Sequence, residues 1–312
     1  MENTVLRIVR NLAFILFATC SFAHAAAIDQ KTLELPITLL SGQTVKLSQY
    51  KGNKPVYLKF WATWCQSCLK QMPHLQHSFD KYGNKVEIIA VNIGVNDDQK
   101  SVAVIKKKFG LTMPIAIDKS GELAKTFNLI GTPYHVLLDA SGNVAYAGYE
   151  ETAGLDKSLK MMLAGKLSID KVQIEANTAT PINLNGIVET PTALFFVSTW
   201  CDWYLKGSHP AVSQNCIAAQ KQVNKLYKQY PQVNWVGVAS RLWTGAPELA
   251  EYKKKFNVKH PLEVDSTNSI TFEYAVKDYP TLILLNKGKE VFRTQHINSK
   301  EISTELKQLT AH

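Results

Sequence analysis

Beyond residue 27 the sequence has no apolar run long enough to cross a bilayer as a helix. Cysteine is scarce, five in 312 residues. Acidic residues are outnumbered, 26 against 35 lysines and arginines. Compositional marks of disorder are missing too, because a hydrophobic fraction of 46% suits globular cores and the length allows two ordinary domains. What stands before residue 28 is different in kind. Arg7 and Arg10 make a basic start, "NLAFILFATCSFA" is a short apolar run, and "AHAAA" offers small residues for cleavage near Ala25 to Ala27. That pattern predicts a signal peptide over 1–27, removed on export, most simply to the periplasm of a Gram-negative envelope. Phe17 and Thr19 are poor neighbours for lipid attachment at Cys20.

Removing the leader changes two counts. The net charge falls only from +9 to about +8, and an exported basic protein meets no nucleic acid, so the lysines read as solvated helix faces. Four cysteines remain, Cys65, Cys68, Cys201 and Cys216, and an even number in an oxidising compartment invites two pairs.

Residues 30 to 165 alternate strand and helix patterns. "PVYLKFWA" and "VEIIAVNI" read as buried strands, and "YHVLLDA" and "NVAYAGY" as a hairpin around "SGN". Helices are expected over Gln66 to Tyr82, kinked at Pro73, near Gln99 to Phe109, around Gly121 to Phe127 and from Thr152 to Leu163. This order predicts an α/β fold with helices on both faces of a central mixed sheet. At "FWATWCQSC", followed much later by "GTPY", the chain resembles the exported TlpA/ResA-type thioredoxins over nearly all of residues 33 to 163.

The resemblance implies thiol–disulfide exchange without cofactor or metal. Cys65, at a helix start that favours a thiolate, would attack a protein disulfide, and Cys68 would resolve the intermediate. Trp64, Thr132 and a cis Pro133 would support the site. Clients would be protein thiols and disulfides, with electrons from an unnamed membrane or periplasmic donor, and the family leans towards a reductase. The chain departs from its relatives at Lys59, where thioredoxin buries an acid, and at Val95 and Tyr134, where relatives carry glutamate. Zinc is excluded by helix geometry, since His74 and His77 point about 240° and 180° away from Cys68.

"STWCDWY" begins the same motif and lacks its second cysteine, with Tyr204 in that place. The sequence repeats, however. Tyr82 lies 14 residues beyond Cys68, and Tyr230 lies 14 beyond Cys216. Phe109 and Phe256, Pro114 and Pro261, Asp118 and Asp265, and Pro133 and Pro280 then match after one deletion near residue 231. Cys216 therefore takes the place of Cys68, one turn inside a helix, with 12 residues inserted between it and Cys201.

The expected organisation is two tandem thioredoxin-like domains, 28–168 and 181–312, joined by a linker over 169–180. A second pair, Cys201 and Cys216, would be supported by Trp200, Tyr279 and a cis Pro280, serving redox relay or holding a client-binding loop. The insert "DWYLKGSHPAVS" reads as a loop that carries Trp203 and Tyr204 towards Pro280. A peroxidase reading of Cys201 competes, because "STWC" matches the end of the peroxiredoxin signature, though Leu194 stands where its proline belongs.

Overall fold

The computed structural model describes residues 28–149, 152–166, 180–297 and 300–311. The leader, nearly all of the linker and the last few residues of the first expected domain lie outside them. A short hairpin, β1 (Ile37–Thr38) with β2 (Thr44–Val45), precedes the first sheet. That sheet comprises β3 (Val56–Trp61), β4 (Glu87–Asn92), β5 (Ile115–Ile117), β6 (Tyr134–Leu138) and β7 (Val144–Gly148), in the order β5-β4-β3-β6-β7. β3 runs parallel to β4 and antiparallel to β6.

The second sheet repeats this plan. β8 (Thr192–Val197), β9 (Asn234–Ala239), β10 (Leu262–Val264), β11 (Thr281–Asn286) and β12 (Lys289–Thr294) are ordered β10-β9-β8-β11-β12, with the same strand directions. The fold is thus α/β, two tandem thioredoxin-like mixed sheets flanked by helices.

The central strands explain themselves. Every residue of "VYLKFW" and of "TALFFV" is buried, because helices cover both faces, so no polar alternation survives. The β11–β12 turn places Lys287 and Gly288 both at positive φ, 50° and 73°, as a tight two-residue hairpin requires.

Two expectations about helices are corrected. The stretch Gln66 to Tyr82 is not one kinked helix but two, Gln66–Lys70 and Met72–Tyr82, with Pro73 in the first turn of the second. Proline fits there because the first turn has no intrahelical use for its missing N–H. The insert after Cys201 is not a loop throughout. Cys201–Tyr204 forms one helical turn, and Pro210 opens a 20-residue helix to Gln229. Cys216 therefore lies nearly two turns inside that helix, rather than one.

Candidate active site at the junction of the two halves

Cys65 caps its helix. Its backbone is extended (φ −76°, ψ 99°), and its Sγ accepts the Cys68 N–H at 3.1 Å. A sulfur at this position faces backbone donors that the helix cannot use itself, which favours the thiolate over the thiol. The structure joins Cys65 to Cys68 (Cα–Cα 5.2 Å) and Cys201 to Cys216 (Cα–Cα 6.2 Å). The peptide bonds Thr132–Pro133 and Tyr279–Pro280 are both cis. Tyr279 O lies 3.7 Å from Cys216 Sγ and 4.0 Å from Cys201 Sγ.

Behind the first pair sits Lys59, only 1% exposed, whose Nζ donates to Gln71 Oε1 at 2.5 Å. Burial disfavours its ammonium and pushes its pKa down to about 7. Next to it on the sheet, His135 is held near pKa 3, first by burial and then by the charges of Lys59 and His74. Asp97 ties the approach to Cys65 in place. It accepts from the Thr63 N–H (2.8 Å), the Thr63 hydroxyl and Asn92 Nδ2 (2.7 Å). Its pKa is raised because desolvation outweighs these donors.

The two halves meet through these same faces. Trp64 and Trp200 lie with ring centroids 4.6 Å apart, and Trp243 stands edge-on to both at 5.7 and 5.6 Å. The Trp64 indole donates to Val95 O and the Trp200 indole to Leu242 O, each at 2.7 Å. All four cysteines belong to one apolar cluster with these tryptophans.

Tyr204 lies across the first half's site. Its ring meets Trp64 edge-on at 6.2 Å, and its hydroxyl accepts the Gln66 N–H at 3.3 Å. Trp203, 59% exposed, lines a cavity of about 390 Å³ with Trp200, Tyr204, Trp243 and Tyr252. The insert was expected to turn both rings towards Pro280, but Tyr204 is placed against Trp64 and Gln66.

Sequence reasoning missed Asn96, Asp97 and Trp243, which stand in loops after the second strand of each sheet. A signal was available for two of them: Asn96 and Trp243 are 147 residues apart, as are Pro133 and Pro280.

A thioredoxin-fold protein with a Cys-x-x-Cys pair at a helix N-terminus is the class that fold and site define. The AhpC/TSA family matches residues 26–147. The thiol-disulfide oxidoreductase ResA of Geobacillus kaustophilus is 36% identical over 121 residues, which are 38% of this chain and 68% of that protein. ResA of Bacillus thuringiensis subsp. konkukian is 41% identical over 111 residues, 35% of this chain and 61% of that protein. The crystal structure of StoA from Bacillus subtilis is similar at 28% identity with a TM-score of 0.36, covering 40% of this chain and 95% of StoA. The chain belongs to the family of ResA-like thiol-disulfide oxidoreductases. It spans about three fifths of the length of the Bacillus thuringiensis relative.

Proposed function

We propose that this chain is an exported thiol–disulfide oxidoreductase that exchanges with protein disulfides through Cys65 and Cys68. The observation that carries the reading is the Cys65 sulfur, set as the cap of its own helix and accepting the N–H of the resolving cysteine. In the reducing direction the Cys65 thiolate attacks one sulfur of a client disulfide. The client S–S bond breaks, its second sulfur leaves as a thiolate and takes a proton, and a mixed disulfide with Cys65 remains. The Cys68 thiolate then attacks Cys65 Sγ, so the client leaves as a dithiol, reduced by two electrons, and Cys65–Cys68 is oxidised. A protein dithiol must return those electrons. Cys201 and Cys216 are the nearest candidates for an internal relay, since they share one buried cluster with the first pair. Among the described residues no helix is long and apolar enough to cross a membrane.

The peroxidase reading of Cys201 gains no support. Leu194, standing where the peroxiredoxin signature needs its proline, is a buried residue of β8. Insulin reduction driven by dithiothreitol tests the assignment. Cys65→Ser is expected to abolish the activity and Cys201→Ser to leave most of it; the reverse pattern refutes the choice of catalytic half.

A further inference from the structure

Both backbone polar groups of Tyr279, the residue before cis Pro280, are taken by one side chain from the other half. Asn96 Nδ2 donates to Tyr279 O at 3.0 Å, and the Tyr279 N–H donates to Asn96 Oδ1 at 3.1 Å. A carboxamide carries one acceptor oxygen beside its N–H donors, so Asn96 offers Tyr279 what one peptide group of an extended strand would offer. The contact is built into the backbone as well. Asn96 has φ 50°, a left-handed conformation that asparagine tolerates, and its own N–H donates to Lys277 O at 3.0 Å.

The second half repeats the arrangement 147 residues on. Trp243 also has φ 50°, and its N–H donates to Ile130 O at 2.8 Å, with Ile130 itself 147 residues before Lys277. Left-handed backbone is unusual for so bulky a residue, which marks a geometry imposed by its surroundings. The Trp243 indole lies over Gly131, where a Cβ would collide with it. Each half thus lays the loop after its second strand across the partner's cis-proline loop. The result leaves Cys65 and Cys68 at 0% exposure, Cys201 at 1% and Cys216 at 6%.

We infer that Asn96 is a built-in client mimic: its carboxamide pairs with the Tyr279 backbone as a peptide group of an extended client would, and with Trp243 it latches the two halves into a closed form that admits no external protein disulfide. The inference deepens the oxidoreductase reading and rests on it for the identity of the client. An extended polypeptide bearing a disulfide must displace Asn96 from Tyr279 and Trp243 from Gly131. Its apparent rate is therefore reduced by the fraction of molecules that are open. In the closed form both pairs are buried in one apolar cluster.

The test uses the full mature chain, with hydrogen exchange and insulin reduction measured side by side. Asn96→Ala removes two neutral hydrogen bonds, which shifts the closed–open balance by roughly tenfold or somewhat more. Exchange at the Trp243 amide, a residue the substitution does not alter, is expected to speed up by that factor. The insulin rate is expected to rise with it while opening limits the reaction. Asn96→Asp, which keeps the residue's shape and its tolerance of left-handed backbone but turns a carboxylate towards Tyr279 O, is expected to do the same. Protection of the Phe60 and Phe195 amides in the two sheets shows that each variant is folded. Unchanged Trp243 exchange and an unchanged insulin rate in folded Asn96→Asp overturn the latch. If neither the wild type nor the folded Asn96 variants reduce insulin, even with dithiothreitol, the oxidoreductase reading is refuted instead, and Trp243 exchange still decides the latch.

Discussion

Replacing Lys59 by methionine is expected to stabilise the protein, and more so at low pH. Lys59 sits in the middle of β3, a strand with all six residues buried, and desolvation is the cause of its lowered pKa. With a folded pKa of about 7 against 10.5 for the free side chain, the unfolded chain binds more protons than the folded one between those values. Folding stability therefore rises with pH across that window, and the whole penalty is present below about pH 7. At about 1.4 kcal/mol per pH unit the penalty is on the order of 5 kcal/mol at most.

Methionine keeps the apolar stem but gives up the hydrogen bond to Gln71, which offsets about 1 kcal/mol. Some relaxation around the ammonium reduces the figure further, so the net gain near pH 6 is roughly 2–3 kcal/mol. Urea unfolding with both disulfides intact, at several pH values between 6 and 10, measures it. The advantage should shrink as pH rises and vanish or reverse near 10. A Lys59→Met protein that is less stable at pH 6, or a difference that does not change with pH, would falsify the buried-ammonium argument.

Two further outcomes are expected. In the double variant Cys68→Ser/Cys216→Ser, mild oxidation should give a monomer bridged between Cys65 and Cys201 in non-reducing peptide maps, because Trp64 and Trp200, the residues just before them, pack with ring centroids 4.6 Å apart; only small-molecule adducts or dimers would count against a relay. Lys255→Met strands the Asp202 carboxylate, whose side chain is 4% exposed while Lys255 is 51% exposed, and should cost about 3 kcal/mol in urea unfolding. Adding Asp202→Asn should recover most of that loss, and a cost below about 0.5 kcal/mol for the single variant would show that the pair behaves as an ordinary surface ion pair.

The sheets were legible because buried central strands write themselves as unbroken apolar runs, and even Lys59 inside "VYLKFW" does not hide the pattern. Helix positions followed from periodicity, but helix boundaries did not. Pro73 and Pro210 each read as an interruption, a kink in one case and a loop in the other, and each stands in the first turn of a helix. Proline looks the same in sequence whether it breaks a helix or starts one; the difference lies in which upstream carbonyls remain unclaimed. β5 and β10, three residues each, are too short to show a period at all.

The contact between the halves was the least legible feature, since no local rule relates residue 96 to residue 279. Its partial signal was the repeat itself. Two halves descended from one plan present the same surface twice, and such a surface can close on itself as an isologous dimer interface does, each contact answered by its twin. Asn96 N–H to Lys277 O and Trp243 N–H to Ile130 O are such twins, and inside each half the indole bonds of Trp64 to Val95 O and of Trp200 to Leu242 O repeat as well.

The symmetry fails where the insert enters. The first half's Cys65 caps its helix, whereas Cys201 is the first residue of a single turn whose partner sulfur waits in the next helix. The same insert supplies Tyr204, whose hydroxyl takes the Gln66 N–H at the start of the first half's helix. A donor next to Cys65, available in an isolated thioredoxin-like domain to whatever docks there, is thereby claimed from within the chain. Duplication explains why the halves fit, and the insert explains why the two disulfides within that fit are not equivalent.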